Sequence, residues 1–93
     1  VSANDADAFD ASRHWRLDNQ VSLRDESFGA LAYHHGNRRL VFLKSPELTA
    51  LVRRLGDFAS AESALAALTP PGERARYLDA LAALQRSELL NGC

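Results

Sequence analysis

The run ALAYHHGNRRLVFL, residues 30–43, constrains the fold of this chain more than any other segment. Two alternating stretches flank Gly36-Asn37, a pair that tolerates the positive φ values a tight hairpin turn demands. A two-residue loop there sets His35 opposite Arg38, His34 opposite Arg39, Tyr33 opposite Leu40 and Leu31 opposite Phe42. One hairpin face then carries Leu31, Tyr33, Leu40 and Phe42, and the other Ala32, His34, Arg39 and Val41. The first face gathers both aromatic residues and two leucines, so it is the expected core face.

Upstream, Trp15, Leu17, Val21 and Leu23 share one parity against Arg16, Asp18, Gln20, Ser22 and Arg24. This strand pattern is interrupted by the turn-prone Asp18-Asn19. Downstream the period changes. Ser45-Pro46-Glu47 supplies a hydroxyl N-cap, a proline at the first helical position and an acid in the first turn. Leu48, Leu51, Val52 and Leu55 follow on one stripe, with Arg53 and Arg54 near the negative end of the dipole and Gly56 as the stop. Ser60 opens a second helix with Ala61, Ala64, Leu65 and Leu68 on its stripe, broken by Thr69-Pro70-Pro71-Gly72. A third helix is expected from about Glu73 to Leu89 on Tyr77, Leu78, Leu81 and Leu84, closed by Asn91-Gly92. The order β-β-β-α-α-α gives an α+β domain, a three-stranded antiparallel sheet followed by three helices. Residues 1–12, with Asp5, Asp7, Asp10 and the single large apolar Phe9, read as a flexible acidic tail before a domain over 13–93.

A 93-residue chain has room for one modest core, burying roughly 60–65% of the surface its unfolded form exposes. Eleven basic and twelve acidic residues leave a net charge of −1, which argues against a strongly cationic nucleic-acid binder. Cys93 is the only cysteine, so neither a disulfide framework nor a thiolate zinc site is available. No apolar run approaches the roughly 20 residues of a membrane span. The N-terminal VSANDADAFD lacks the basic-then-apolar pattern of a signal peptide, so the expected location is cytoplasmic.

Candidate chemistry is sparse. His34 and His35 are adjacent on a strand and point to opposite faces, so they cannot chelate one ion together, and His14 lies near the tail. Cys93 has no ordered base within reach of its position in the chain. No nucleophile elbow, phosphate loop, dinucleotide fingerprint or zinc-protease motif occurs. The expectation is a non-enzyme with no cofactor, no metal and no catalytic residue. A winged-helix DNA-binding regulator is the competing reading. Its second helix, SAESALAAL, has no basic residue, and in the third Arg74, Arg76 and Arg86 are balanced by Glu73, Asp79 and Glu88. The phosphate attraction that supplies such affinity is therefore missing.

The sheet edge is the remaining candidate. The third strand, Arg38 to Leu43, has a neighbour on one side, contains no proline, and its lysine, Lys44, comes only after it. Such an edge accepts an added peptide strand unless the third helix or the tail covers it, and the residues leave both readings open. An open edge is equally compatible with a monomer or a strand-paired dimer.

The run from Trp15 to Leu90 resembles the small B component of mycofactocin biosynthesis. The likeness is densest in VSLR-x-E-x-FGALAYHHG-x-RRL-x-FLKSPEL, Val21 to Leu48. More distantly it is similar to the D protein of pyrroloquinoline quinone biosynthesis, type member of the precursor-recognition elements of peptide-modifying pathways. The resemblance implies a winged-helix-like domain and a peptide chaperone. Its partners would be the leader of the ribosomally made mycofactocin precursor and a radical S-adenosylmethionine maturase, and the chemistry would belong to the maturase. It implies that the leader adds along the third strand, at Arg39, Leu40, Val41, Phe42 and Leu43. The groove wall would come from among Tyr77, Ala80, Leu81, Ala83 and Leu84 of the third helix. No nucleic acid and no membrane would be partners.

Overall fold

The structure, a computed structural model, describes residues 9–92. Its elements are β1 (Trp15–Leu17), β2 (Val21–Glu26), β3 (Gly29–His34), β4 (Leu40–Leu43), α1 (Pro46–Arg54), a 3-10 turn (Leu55–Asp57), α2 (Ala61–Leu68), α3 (Arg74–Arg86) and β5 (Leu90–Gly92). The expected α+β order holds: β2, β3 and β4 form an antiparallel sheet in that order, and three helices follow. Among the described residues no helix is long and apolar enough to cross a membrane.

The hairpin keeps the expected register, with Leu31 opposite Phe42 and Tyr33 opposite Leu40. Its turn differs. The His34 N–H donates to the Arg39 carbonyl, the Arg38 N–H donates to the His34 carbonyl, and the left-handed residue is Arg38, at φ 65°, rather than Gly36 or Asn37. Side chains impose this wider loop. His34 Nδ1 accepts the N–H groups of Gly36 and Asn37 at 3.0 and 3.1 Å, and Asn37 Oδ1 accepts that of Arg39 at 2.9 Å. Opening the loop by one residue on each side leaves all pairs beyond it unchanged.

The expected core face is overturned. Ala30, Ala32, His34 and Leu43 are buried, whereas Leu40 and Phe42 are exposed and Leu31 and Tyr33 half-buried. Size explains the inversion. The bulk of the core comes from the helices, through Leu51, Leu55, Leu65 and Leu81, and the small Ala30 and Ala32 let those leucines approach the sheet.

The helix starts are as read. Ser45 Oγ accepts the Leu48 N–H at 3.0 Å and Ser60 Oγ that of Ser63 at 3.1 Å. Gly29, at φ 150°, lies where the chain turns into α1, and a Cβ there would collide with the Leu43 carbonyl oxygen and crowd Ser45.

The chain ends depart from expectation. Trp15–Leu17 and Val21–Glu26 belong to different sheets, separated at Asp18. Helix α3 stops at Arg86, not Leu89. The Leu89 N–H bonds the Leu84 carbonyl and the Glu88 N–H bonds that of Gln85, with Glu88 left-handed at φ 67°, which is a Schellman end without glycine. That turn buries Leu89 and Leu90 and sends β5 back to pair with β1, Trp15 opposite Gly92 and Leu17 opposite Leu90. Of the expected acidic tail, residues 1–8 lie outside the described residues. Phe9 is buried, stacked on Trp15 with ring centroids 4.7 Å apart, and Trp15 Nε1 donates to the Asp10 carbonyl at 2.7 Å.

Candidate functional site

Strand β4 is the edge of its sheet, with β3 on one side and, among the described residues, no strand on the other. Which of its groups are free follows from the ladder. Arg39 points its carbonyl at β3, where it accepts from His34. Bonding direction alternates along an antiparallel strand, so Val41 and Leu43 also face β3, and the N–H and C=O of Leu40 and Phe42 face outward. Neither Leu40 nor Phe42 makes a backbone bond outside the sheet ladder among the described residues. Of the five residues expected along the ladder, two therefore present free groups. Arg39 is spent on the turn, and the buried Leu43 belongs to the core.

Helix α3 runs alongside β4 in the opposite direction, and two contacts fix the pairing. At the turn end, Asn37 Nδ2 donates to the Ser87 carbonyl at 3.3 Å. At the other end a cleft of about 160 Å³ opens between Lys44, Ser45 and Leu48 on one side and Arg76, Tyr77 and Ala80 on the other. The expected wall residues divide. Tyr77 and Ala80 line this cleft. Ala83, exposed, follows Ala80 at helical spacing on the way to Ser87. Leu81 and Leu84 are buried in the core. Leu48, Lys44 and Arg76 were not singled out as site residues. Leu48 had been read as core stripe, yet Arg76 was signalled by standing four residues before Ala80, on the same helix face. The Arg76 guanidinium lies over the Tyr77 ring, 5.3 Å from its centroid. The cleft is thus an apolar floor with a cationic rim.

The three histidines are spread among separate tasks. His14 Nε2 lies 2.9 Å from the Gly56 carbonyl, His35 Nε2 lies 2.8 Å from Ser22 Oγ, and His34 supports the hairpin turn. The largest concavity, about 770 Å³, is open and lies away from the β4 edge, between β1, β5 and the end of α3. Its polar groups are tied to one another. Asp18 accepts the Gln20 N–H and the Asn91 amide, each at 2.7 Å, and these bonds, with His34 and Arg16 nearby, hold its carboxyl below the usual carboxylate range. That network joins strand ends.

The comparisons with known proteins agree with an edge built for a peptide. The sequence profile of the Peptide chaperone MftB family matches residues 14–91. A peptide chaperone MftB of Mycobacterium ulcerans (strain Agy99) is 48% identical over 90 residues, covering 96% of this chain and 83% of that protein. The peptide chaperone MftB of Mycolicibacterium smegmatis (strain ATCC 700084 / mc(2)155) is 46% identical over 83 residues, 88% of this chain and 81% of the relative. That of Mycobacterium tuberculosis (strain ATCC 25618 / H37Rv) is 42% identical over 87 residues, 92% and 80% respectively. No solved structure matches. With identity this high over nearly the whole domain, the edge strand and its flanking helix included, the chain belongs to the peptide chaperone MftB family, a family of chaperones and not of enzymes.

Proposed function

We propose that this chain binds the leader of the ribosomally made mycofactocin precursor as an added strand on β4, and holds it for a radical S-adenosylmethionine maturase. The observation that carries the reading is the outward-facing, unpaired backbone of Leu40 and Phe42 beside the cleft of Leu48, Tyr77 and Ala80. Four ladder bonds come from those two residues. Net hydrogen bonds return less than the ordering of an extended six-residue segment costs, so apolar side chains of the leader must supply the difference by burial. The cleft gives one of them a seat, and the small Ala80 and Ala83 leave room along the helix. The chain holds and presents, and the maturase supplies the bond chemistry.

An amide chemical-shift titration of the whole chain with a synthetic precursor leader tests this. Perturbations concentrated on Leu40 to Lys44 and on Arg76 to Ala83 are expected, with affinity that changes little with salt. A map confined to α2, or binding that falls steeply with salt as phosphate-driven binding does, would overturn it.

A further inference from the structure

The sheet face that the sequence had assigned to the core is exposed, and its exposure is not random. Among the described residues the exposed large hydrophobic side chains are Phe28 at 39%, Leu40 at 53% and Phe42 at 53%. All three lie on this one face. Phe28 stacks on Phe42 with centroids 5.8 Å apart, and Leu31 and Tyr33 continue the patch one strand inward. Exposed apolar groups scattered singly need no explanation, but a contiguous set does. The exposure also has a direction. Leu31 and Tyr33, with a strand on each side, are half-buried, and the same face becomes more exposed one strand outward, at Leu40 and Phe42. The uncovered area therefore faces the free edge, where Leu40 and Phe42 also turn out their unpaired backbone groups.

Resting on the leader-binding reading above, we infer that the bound strand is read on both of its faces, and that its residues opposite Leu40 and Phe42 are apolar and complete this outer patch. Directly opposed side chains on neighbouring strands share a face, with Cβ atoms about 5 Å apart. A residue opposite Leu40 or Phe42 therefore lands beside those side chains, while the residue between them points to the cleft side, toward Val41 and α3. The inner seat demands one apolar parity and the outer patch the other. The ligand is then a short continuous apolar run, as in strands covered on both sides, and not the alternating pattern that a one-sided groove would select. A second copy of this chain is the competing occupant, and the test separates it.

The test is a double-mutant cycle by calorimetry. The whole chain, as wild type and as Leu40→Thr and Phe42→Thr, is titrated with the synthetic leader and with leader variants in which each apolar residue is changed singly to serine. Threonine keeps strand propensity at exposed positions, and thermal unfolding verifies the fold of each variant. The expected result is a loss of about tenfold in affinity for each threonine variant, with coupling to leader residues of one parity only. Equal affinity of wild type and threonine variants would overturn the two-faced readout and leave edge binding standing. Coupling spread over both parities would also overturn it. A wild-type dimer that dissociates in the threonine variants, with no parity-specific coupling, assigns the patch to a second copy and overturns it. No binding by the wild type would overturn the leader reading itself, and this inference with it.

Discussion

The two β-systems of the molecule use similar short strands for opposite ends. In the β1–β5 clasp each strand covers the other's inner edge, Trp15 and Leu90 are buried, and Phe9 lies against the Trp15 ring. The clasp brings both ends of the domain into the core. In β4 one edge is satisfied by β3, the other offers two residues' worth of backbone, and apolar side chains remain in solvent. Pairing of three or four residues is weak in either place. What differs is whether side chains from elsewhere in the chain cover the strand. Where they do, the strand stabilises the fold, and where they do not, it is left for a ligand.

The largest test of this contrast is Trp15→Ala. It removes a buried ring, the Phe9 stack and the bond to Asp10, and should lower the unfolding free energy by about 3–5 kcal/mol, read by urea denaturation. For a domain with about 5–15 kcal/mol in total, that is a large share. A loss under about 1 kcal/mol would mean that the clasp is peripheral to the core.

Proline substitution sharpens the contrast within β4 itself. Val41→Pro removes an N–H that faces β3 and should cost about 2–3 kcal/mol of stability. Phe42→Pro removes an outward N–H and no ladder bond to β3, so stability should change by less than about 1 kcal/mol while leader affinity falls at least about tenfold. If the two variants lose stability equally, the assignment of bonding parity along β4 is wrong.

The local signals were legible in the sequence because local chemistry decides them. Ser45 and Ser60 cap their helices through bonds three residues long, and the Tyr33–Leu40 register survives a change of turn because it depends on the centre of the hairpin alone. Which hairpin face is buried was not legible. It depends on what the helices bring, and they bring leucines that fit over Ala30 and Ala32, so the larger residues go outward. Strand β5 was hidden because α3 ends through a left-handed Glu88, where a glycine would have advertised the stop. The site divided in the same way. Proline-free β4 was recognisable as an edge, but α3 is apolar over too much of its circumference for spacing to tell Tyr77 and Ala80, at the cleft, from Leu81 and Leu84, in the core.

A helix-side variant tests that division. Ala80→Glu puts a charge and added bulk into the cleft and should weaken leader binding about tenfold with an unchanged circular dichroism spectrum. Ala83→Glu, beyond the cleft on the same side, should weaken it less. The reverse order would move the inner seat toward the turn end of the groove.

The smallest effect belongs to Asp18, at the clasp. Its carboxylate accepts from the Gln20 backbone and the Asn91 side chain, which lowers its folded pKa below the unfolded value of about 3.9. A lowered carboxylate pKa stabilises the fold above the unfolded value, and that contribution is lost as pH falls through the folded value. Asp18→Asn should therefore cost on the order of 1 kcal/mol at pH 7, since exposure and screening limit such bonds, and the gap to wild type should close as pH drops below about 4. Because Asn91 lies on β5, the variant should loosen the clasp, with faster amide exchange at Leu90 to Gly92, and leave leader binding on β4 unchanged. A stability gap that stays constant with pH would show that the Gln20 and Asn91 bonds do not depend on the charge. A change in leader affinity would show that the two β-systems are coupled through the core rather than independent.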